Sequence, residues 1–409
     1  MGLVVSFLIT GMVSFAEGNT KEADKKAEVK NINGEEYIIN DELLKNILRQ
    51  ISIGNIHIIG EKESAGRQEI NGGLGINNGT LTGGGMWGDW AQDINGGLGI
   101  NNGIIINKNA YGGGAFYKNG ISLKRENGKL VINTGSDYDG NVYNNNVNIL
   151  GKNELTTSSK LSEVITNNKI EQKNVGQEII NGQTQEVKGY NLFINNLGNE
   201  TNDKDNQLII DTDLSENFAN THITTAVTEN GYTKNEAVIK IADGLDNFSM
   251  DKSTIIGYFE KDGTLVNMNG AKTVELNDSV ISAFGKDDTI KADAIKFAEG
   301  STVTLNNSTV NGKMNFSAGN NILNLNGKYN GTNHDTYKDG TQYGTYVSDV
   351  EFGAGNDNID ISVNSNNEDK KGLINLGNVN FGDGDDTLSF SFDEMKKGNF
   401  VLAGNIDFG

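Results

Sequence analysis

Neither cysteine nor proline occurs anywhere in this 409-residue chain. The missing cysteine excludes disulfides and thiolate metal sites, and it leaves nothing that could cross-link an exported chain before transport is complete. The missing proline needs a cause, because average usage predicts roughly twenty in such a length. A coding bias toward Asn, Lys and Ile contributes, and physics acts in the same direction. Proline cannot donate to a strand ladder and is kept out of interior strands. Positive charge is also scarce: arginine is limited to Arg49, Arg67 and Arg125, and the formal net charge is −20. A field of that sign repels phosphate backbones and anionic lipid, so nucleic acid is excluded as a partner.

The 53 glycines are too dense in places for any helix to survive. Ile70-Asn71-Gly72-Gly73-Leu74-Gly75-Ile76-Asn77-Asn78-Gly79 returns unchanged as Ile94 to Gly103, an offset of 24 residues. Fixed-offset repetition of this length marks stacked structural units, here short strands joined by tight turns. Upstream, Leu3 to Phe15 is an apolar run too short to span a bilayer. It ends in Ser14-Phe15-Ala16 and turns polar at Glu17, so residues 1–16 read as an export signal. Residues 17–60 read as a cap segment, with a short amphipathic helix from Asn40 or Asp41 to Ile51 that presents Leu43, Leu44, Ile47 and Leu48 on one face. No membrane-spanning segment is expected in the mature chain.

The C-terminal third carries the clearest pattern. An apolar–polar–Phe triplet, a small residue, a glycine turn and an alternating strand recur together. Ile295-Lys296-Phe297 precedes Val303-Thr304-Leu305, and Met314-Asn315-Phe316 precedes Leu323-Asn324-Leu325. Val350-Glu351-Phe352 and Val379-Asn380-Phe381 begin two more units, and Ile406-Asp407-Phe408-Gly409 opens another. The phenylalanines stand 19, 36, 29 and 27 residues apart. The surplus in the longer steps is polar: Gly327 to Tyr346, Asn364 to Gly372 and Asp393 to Gly398. Loops bulging from a faithful core produce such spacing.

Alternation at period two turns one side of each strand inward. A lone coil of about twenty residues has nothing to bury that side against, whereas coils stacked about 4.8 Å apart pair strand on strand. The fold expected is all-β: a parallel β-helix (β-solenoid) with a short N-terminal helix or cap. It divides into Gly/Asn-rich repeats over 61–150, an irregular β-solenoid over 151–270 whose register the sequence leaves unset, and regular Phe-Gly repeats over 271–409. The phenylalanines should form an internal stack and the recurring asparagines ladders at the turns. Because the last unit only begins at Ile406, the chain is expected to continue beyond residue 409.

The export signal, the absent cysteine, the Ile-Asn-Gly-Gly-Leu-Gly duplication and the Phe-Gly-x-Gly-Asn/Asp-Asp units together resemble the passenger of a Gram-negative autotransporter adhesin, over roughly residues 60–409. The resemblance implies that the parallel β-helix is right-handed, and it implies Sec-dependent export and a place at the cell surface or outer membrane, or secretion. It also implies an outer-membrane β-barrel translocator lying outside this chain, no catalysis, and adhesion to a protein or glycan of a host-cell or bacterial surface.

Three kinds of site are weighed against that reading. Phe352-Gly353-Ala354-Gly355-Asn356-Asp357 and Phe381-Gly382-Asp383-Gly384-Asp385-Asp386 resemble calcium-binding nonapeptide turns, whose oxygen donors suit calcium. Their copies lie 29 residues apart rather than nine, and Phe replaces the first glycine. No cofactor is otherwise expected. A polysaccharide-active enzyme can occupy a β-helix, yet His57, His222 and His334 are isolated and no carboxylate cluster stands out. For ligand binding the candidates are aromatic: Trp87 and Trp90 in a glycine-flanked loop, and Tyr329, His334, Tyr337, Tyr343 and Tyr346 in the long polar insert. Aromatic side chains in loops make good recognition surfaces.

Overall fold

The computed structural model describes residues 159–180, 183–194, 207–227, 237–259, 261–285, 290–329, 344–365, 372–391, 398–402 and 404–409, together with strand segments between residues 28 and 150. The export signal and the helix expected before Ile51 lie outside the described residues. Glu28–Ile32 and Glu35–Ile39 form an antiparallel hairpin.

The duplicated segment folds as its period demands. Gln68–Asn71 pairs in parallel with Gln92–Asn95, and Leu74–Asn77 with Leu98–Asn101. The register sets Ile70 on Ile94, Leu74 on Leu98 and Asn77 on Asn101. Each residue therefore stacks on its own copy. The next coil follows with Ala115–Lys118 and Ile121–Glu126, and Lys129–Thr134 then folds back antiparallel.

From residue 148 onward the chain winds as a three-sided parallel β-solenoid. The first face stacks Asn148–Leu150, Asn191–Ile194, His222–Val227, Thr254–Phe259 and Val280–Gly285. The second stacks Ser159–Lys160, Leu208–Ile210, Ala237–Ile241, Gly263–Met268 and Ala292–Phe297. In Thr309–Asn315, Gly344–Glu351 and Gly372–Asn380 these two faces are continuous strands bent at the corner, which joins them in one 15-stranded sheet. Gly312 turns the first such corner with φ of +102°, where side chains are disfavoured. The third face is a separate six-stranded sheet, from Asn247–Asp251 through Thr273–Asn277, Thr302–Asn306, Ile322–Tyr329 and Asn358–Ser365 to Thr387–Ser391. The stretch over 151–270 thus shares its ladders with 271–409.

Among the described residues the one α-helix is Leu161–Asn167, and it follows a second-face strand where a third-face strand would otherwise come. Leu161, Val164 and Ile165 point into the core. Helix and coil meet again where Ser162 donates from N and Oγ to the two oxygens of Asp211, at 3.1 and 2.5 Å.

Inside the solenoid, equivalent apolar side chains lie coil upon coil. The second face contributes Ile239, Val266, Ile295, Met314, Val350 and Val379, all buried. The third contributes Leu276, Leu305, Leu325 and Ile361. At the corner between these faces, Phe297, Phe316, Phe352 and Phe381 form a buried column of stacked rings, with neighbouring centroids 4.5, 4.6 and 5.3 Å apart. Phe408 extends the column at 5.0 Å. Each fully buried ring contributes on the order of 2–3 kcal/mol, and offset stacking adds about 0.5–1.5.

The corner from third to first face is polar and repeats. Asn220, Lys252, Asp278 and Asn307 adopt left-handed φ of 57°, 47°, 46° and 47°. The residues that follow them, Thr221, Ser253, Ser279 and Ser308, are fully buried. Thr221 N donates to Ser253 Oγ at 3.0 Å, Ser253 N to Ser279 Oγ at 3.1 Å, and Ser279 N to Ser308 Oγ at 3.0 Å. This column satisfies backbone donors that would otherwise be stranded in the interior.

Alternation does not produce an exposed side on every face. In Thr254–Phe259 every residue is buried, with Ile255 and Phe259 inside and Ile256 and Tyr258 on the other side. The first face is therefore covered on both sides. The third face stands open to solvent on its outer side.

Candidate functional site

The outer side of the third face is a polar surface built by strand register. Ser249, Glu275, Thr304, Asn324, Asp360 and Ser389 form one row along the solenoid. Asn277, Asn306, Asn326, Ser362 and Ser391 form the next. These side chains hold one another. Asn326 Nδ2 donates to Asn306 Oδ1 at 2.8 Å, Asn306 Nδ2 to Asn277 Oδ1 at 2.7 Å, and Asn324 Nδ2 to Thr304 Oγ1 at 3.2 Å. Ser389 Oγ and Asn358 Nδ2 donate to the two oxygens of Asp360. The asparagine ladders expected from the sequence are thus present, on this sheet as well as at the turns.

A trough of about 400 Å³ opens on this surface, lined by Thr304, Asn324, Asn326, Asp360, Ser389 and Phe390 among others. Hydroxyls and amides held in rows suit a partner rich in hydroxyl groups. Asp360 is the one carboxylate lining the trough. These residues carry no site signature in the sequence. Their signal was the outward positions of Thr302-Val303-Thr304, Asn324-Leu325-Asn326 and Asp360-Ile361-Ser362, visible only once the strands are in register.

The aromatic candidates fare unequally. Trp87, Trp90, His334, Tyr337 and Tyr343 lie outside the described residues. Tyr329 ends the third-face strand Ile322–Tyr329 and pairs in register with Ser365. Tyr346 is corrected from loop to ladder: it lies within Gly344–Glu351 between Thr309 and Asn375, only 7% exposed. Burial raises its phenol well above the ordinary range. Strand pairing continues through Gly327 and resumes at Gly344, so the insert narrows from 327–346 to 330–343. The next insert narrows likewise to 366–371. In the chain, segments 330–343, 366–371 and 392–397 all connect the third face to the first, in successive coils.

His222 is no ligand constellation either. Its Nδ1 lies 2.9 Å from Thr254 Oγ1, and burial lowers its imidazole to about 4. Among the described residues no group of three or more His, Cys, Asp or Glu is placed to hold a metal ion, and no helix is long and apolar enough to cross a membrane.

The two Gly/Asp turns stack at the corner between the second and third faces. There Ser301 N donates to Asn321 Oδ1 at 3.0 Å, Asn321 N to Asp357 Oδ1 at 2.7 Å, and Asp357 N to Asp386 Oδ1 at 2.8 Å. Asp357 is 1% exposed, and desolvation raises its carboxyl above the usual range. The hydrogen bonds from Asn321 oppose that rise and the charge of Asp386 adds to it.

No family model, curated protein or solved structure matches the chain.

Proposed function

We propose that this chain is the adhesive, non-catalytic passenger of an autotransporter-type surface protein, exported by the Sec route and displayed outside the cell. The observation that carries the reading is the division of labour between core and inserts. Phe297 to Phe381 stack without interruption, while 330–343 and 366–371 leave the ladder at one corner. A continuous core whose coils are joined at one corner by segments of unequal length suits a scaffold for contact rather than for turnover. The partner is a protein or glycan of a host-cell or bacterial surface. It is met by His334, Tyr337 and Tyr343 of the 330–343 insert and by the trough around Asn324 and Asp360.

The test is deletion of 330–343, closed with a short glycine linker, in the chain displayed on bacteria. Adhesion to cells or to a glycan array should fall, with surface display and β-type circular dichroism retained. Unchanged adhesion would remove the insert from the contact surface. Turnover on a panel of polysaccharides would favour a carbohydrate-active enzyme instead.

A further inference from the structure

Asn321 and Asp357 occupy the same place in successive turns, yet they present opposite chemistry. Asn321 Nδ2 donates to Ser317 O at 2.9 Å and to Gly319 O at 2.7 Å. Thirty-six residues on, the corresponding carbonyls are those of Gly353 and Gly355. The atom that replaces the amide donor there is a carboxylate oxygen. Asp357 Oδ2 is buried and has no hydrogen-bond partner, in a side chain 1% exposed. Asp386 Oδ2, in the next turn, is likewise buried and without a partner. A donor position has thus become oxygen-only, and a buried carboxylate oxygen without a partner is costly.

Distance decides what restores the balance. Each carboxylate accepts a backbone N–H from the preceding coil through Oδ1, at 2.7 Å for Asp357 and 2.8 Å for Asp386. Both carboxylates thus face the preceding coil through Oδ1, and at the coil rise equivalent oxygens of the two turns stand about 4.8 Å apart. A shared proton needs oxygens about 2.5–3.0 Å apart, which is too close for this spacing. A proton on Asp357 alone would satisfy one of the two atoms and leave the other bare. Calcium bonds oxygen at about 2.3–2.6 Å, so an ion midway reaches both atoms, whereas magnesium at about 2.0–2.1 Å falls short.

We propose that a calcium ion binds between the turns Gly353–Asp357 and Gly382–Asp386, bridging Asp357 Oδ2 and Asp386 Oδ2, with turn carbonyls and water completing its oxygen shell. Two carboxylates make a weak site, in the range of about 10⁻⁴–10⁻³ M typical of extracellular modules. The site would tie consecutive coils together, as Asn321 Nδ2 does one step earlier by donating to Asp357 Oδ1 at 2.9 Å. It is independent of what the outer surface binds.

The test is thermal unfolding of the full chain by circular dichroism in chelator, in millimolar calcium chloride, and in magnesium chloride at matched ionic strength. Calcium should raise the wild-type Tm by several degrees and magnesium should not. In Asp357→Asn the calcium-dependent rise should vanish. Its Tm in chelator should equal or exceed that of the wild type, because the new amide can donate as Asn321 does. Asp386→Asn, at a partly exposed residue, should also lose the rise, and it decides the matter if the first variant fails to fold. A wild-type Tm indifferent to calcium, an equal response to magnesium, or a calcium response that persists in the variants would each overturn the proposal. Stabilisation by acid without any effect of calcium would assign the position to a proton instead.

Discussion

The rings of Phe316 and Phe352 stack with centroids 4.6 Å apart although 36 residues separate them, and Phe297 and Phe316, only 19 residues apart, stack at 4.5 Å. Nearly doubling the intervening chain leaves the spacing of the rings unchanged. The core sets the pitch of the solenoid whatever the length of the intervening chain. Phe316→Ala would open a void between two rings, with an expected loss of about 3–5 kcal/mol. Phe408→Ala, at a ring that is 50% exposed, should cost less than about half of that, since less area leaves water there. Urea unfolding of both variants checks the contrast, and equal losses would contradict a shared column.

The buried hydroxyl column has a sharper signature. Ser279 Oγ accepts from Ser253 N at 3.1 Å and donates to Asn277 O at 2.7 Å. Ser279→Ala leaves a buried N–H without an acceptor, with an expected loss of about 1–3 kcal/mol. Ser279→Thr retains the hydroxyl and should lose less of the hydrogen bonding. Denaturant titration of the pair separates hydrogen bonding from packing.

Backbone proximity makes a third prediction. A Cβ at Gly377 would lie 1.5 Å from Ser348 O of the coil beneath. Gly377→Ala therefore has to push two coils apart, and its destabilisation should reach or exceed the upper end of the ~1–3 kcal/mol typical of overpacking. A melting curve indistinguishable from wild type would show that the coils are not in contact at this corner.

The fourth concerns pH. Burial lowers His222 to about 4 from an ordinary 6.5. Above the ordinary value the imidazole is neutral in both folded and unfolded chains and favours neither. As the pH falls between these values, the unfolded chain takes up a proton that the folded chain refuses, so stability declines until the folded value is passed. His222→Gln should flatten that part of the stability profile, read as the difference between variant and wild type from pH 7 to pH 4. Parallel profiles would show that His222 does not titrate as its burial demands.

The phenylalanine column was legible because aromatic residues are rare and their spacing survives insertion. The duplication was legible for a similar reason, and Ile70 does lie on Ile94. The register of 151–270 was not. Segments 195–206 and 228–236 break the period between coils, and Leu192, Ile223 and Ile255 carry no signature to distinguish them from other apolar residues. The column through Thr221, Ser253, Ser279 and Ser308 was missed because buried hydroxyls and loop hydroxyls look identical in a sequence. Tyr346 was placed in a loop because its neighbours Gly344, Thr345 and Ser348 are polar or small, while the structure shows Thr345 and Ser348 buried as well. The trough depends on which residues of three distant segments share a row, and composition does not record that.

Both internal hydrogen-bond columns run in the same direction. Thr221 N reaches forward to Ser253 Oγ, and Asp357 N reaches forward to Asp386 Oδ1. Within these two columns each backbone donor is met by the winding that comes after it. The rod has a grain. In these columns, shortening the rod from its later windings strands backbone donors in the dry interior, whereas trimming earlier windings removes donors and leaves their former acceptors with spare lone pairs, a milder injury.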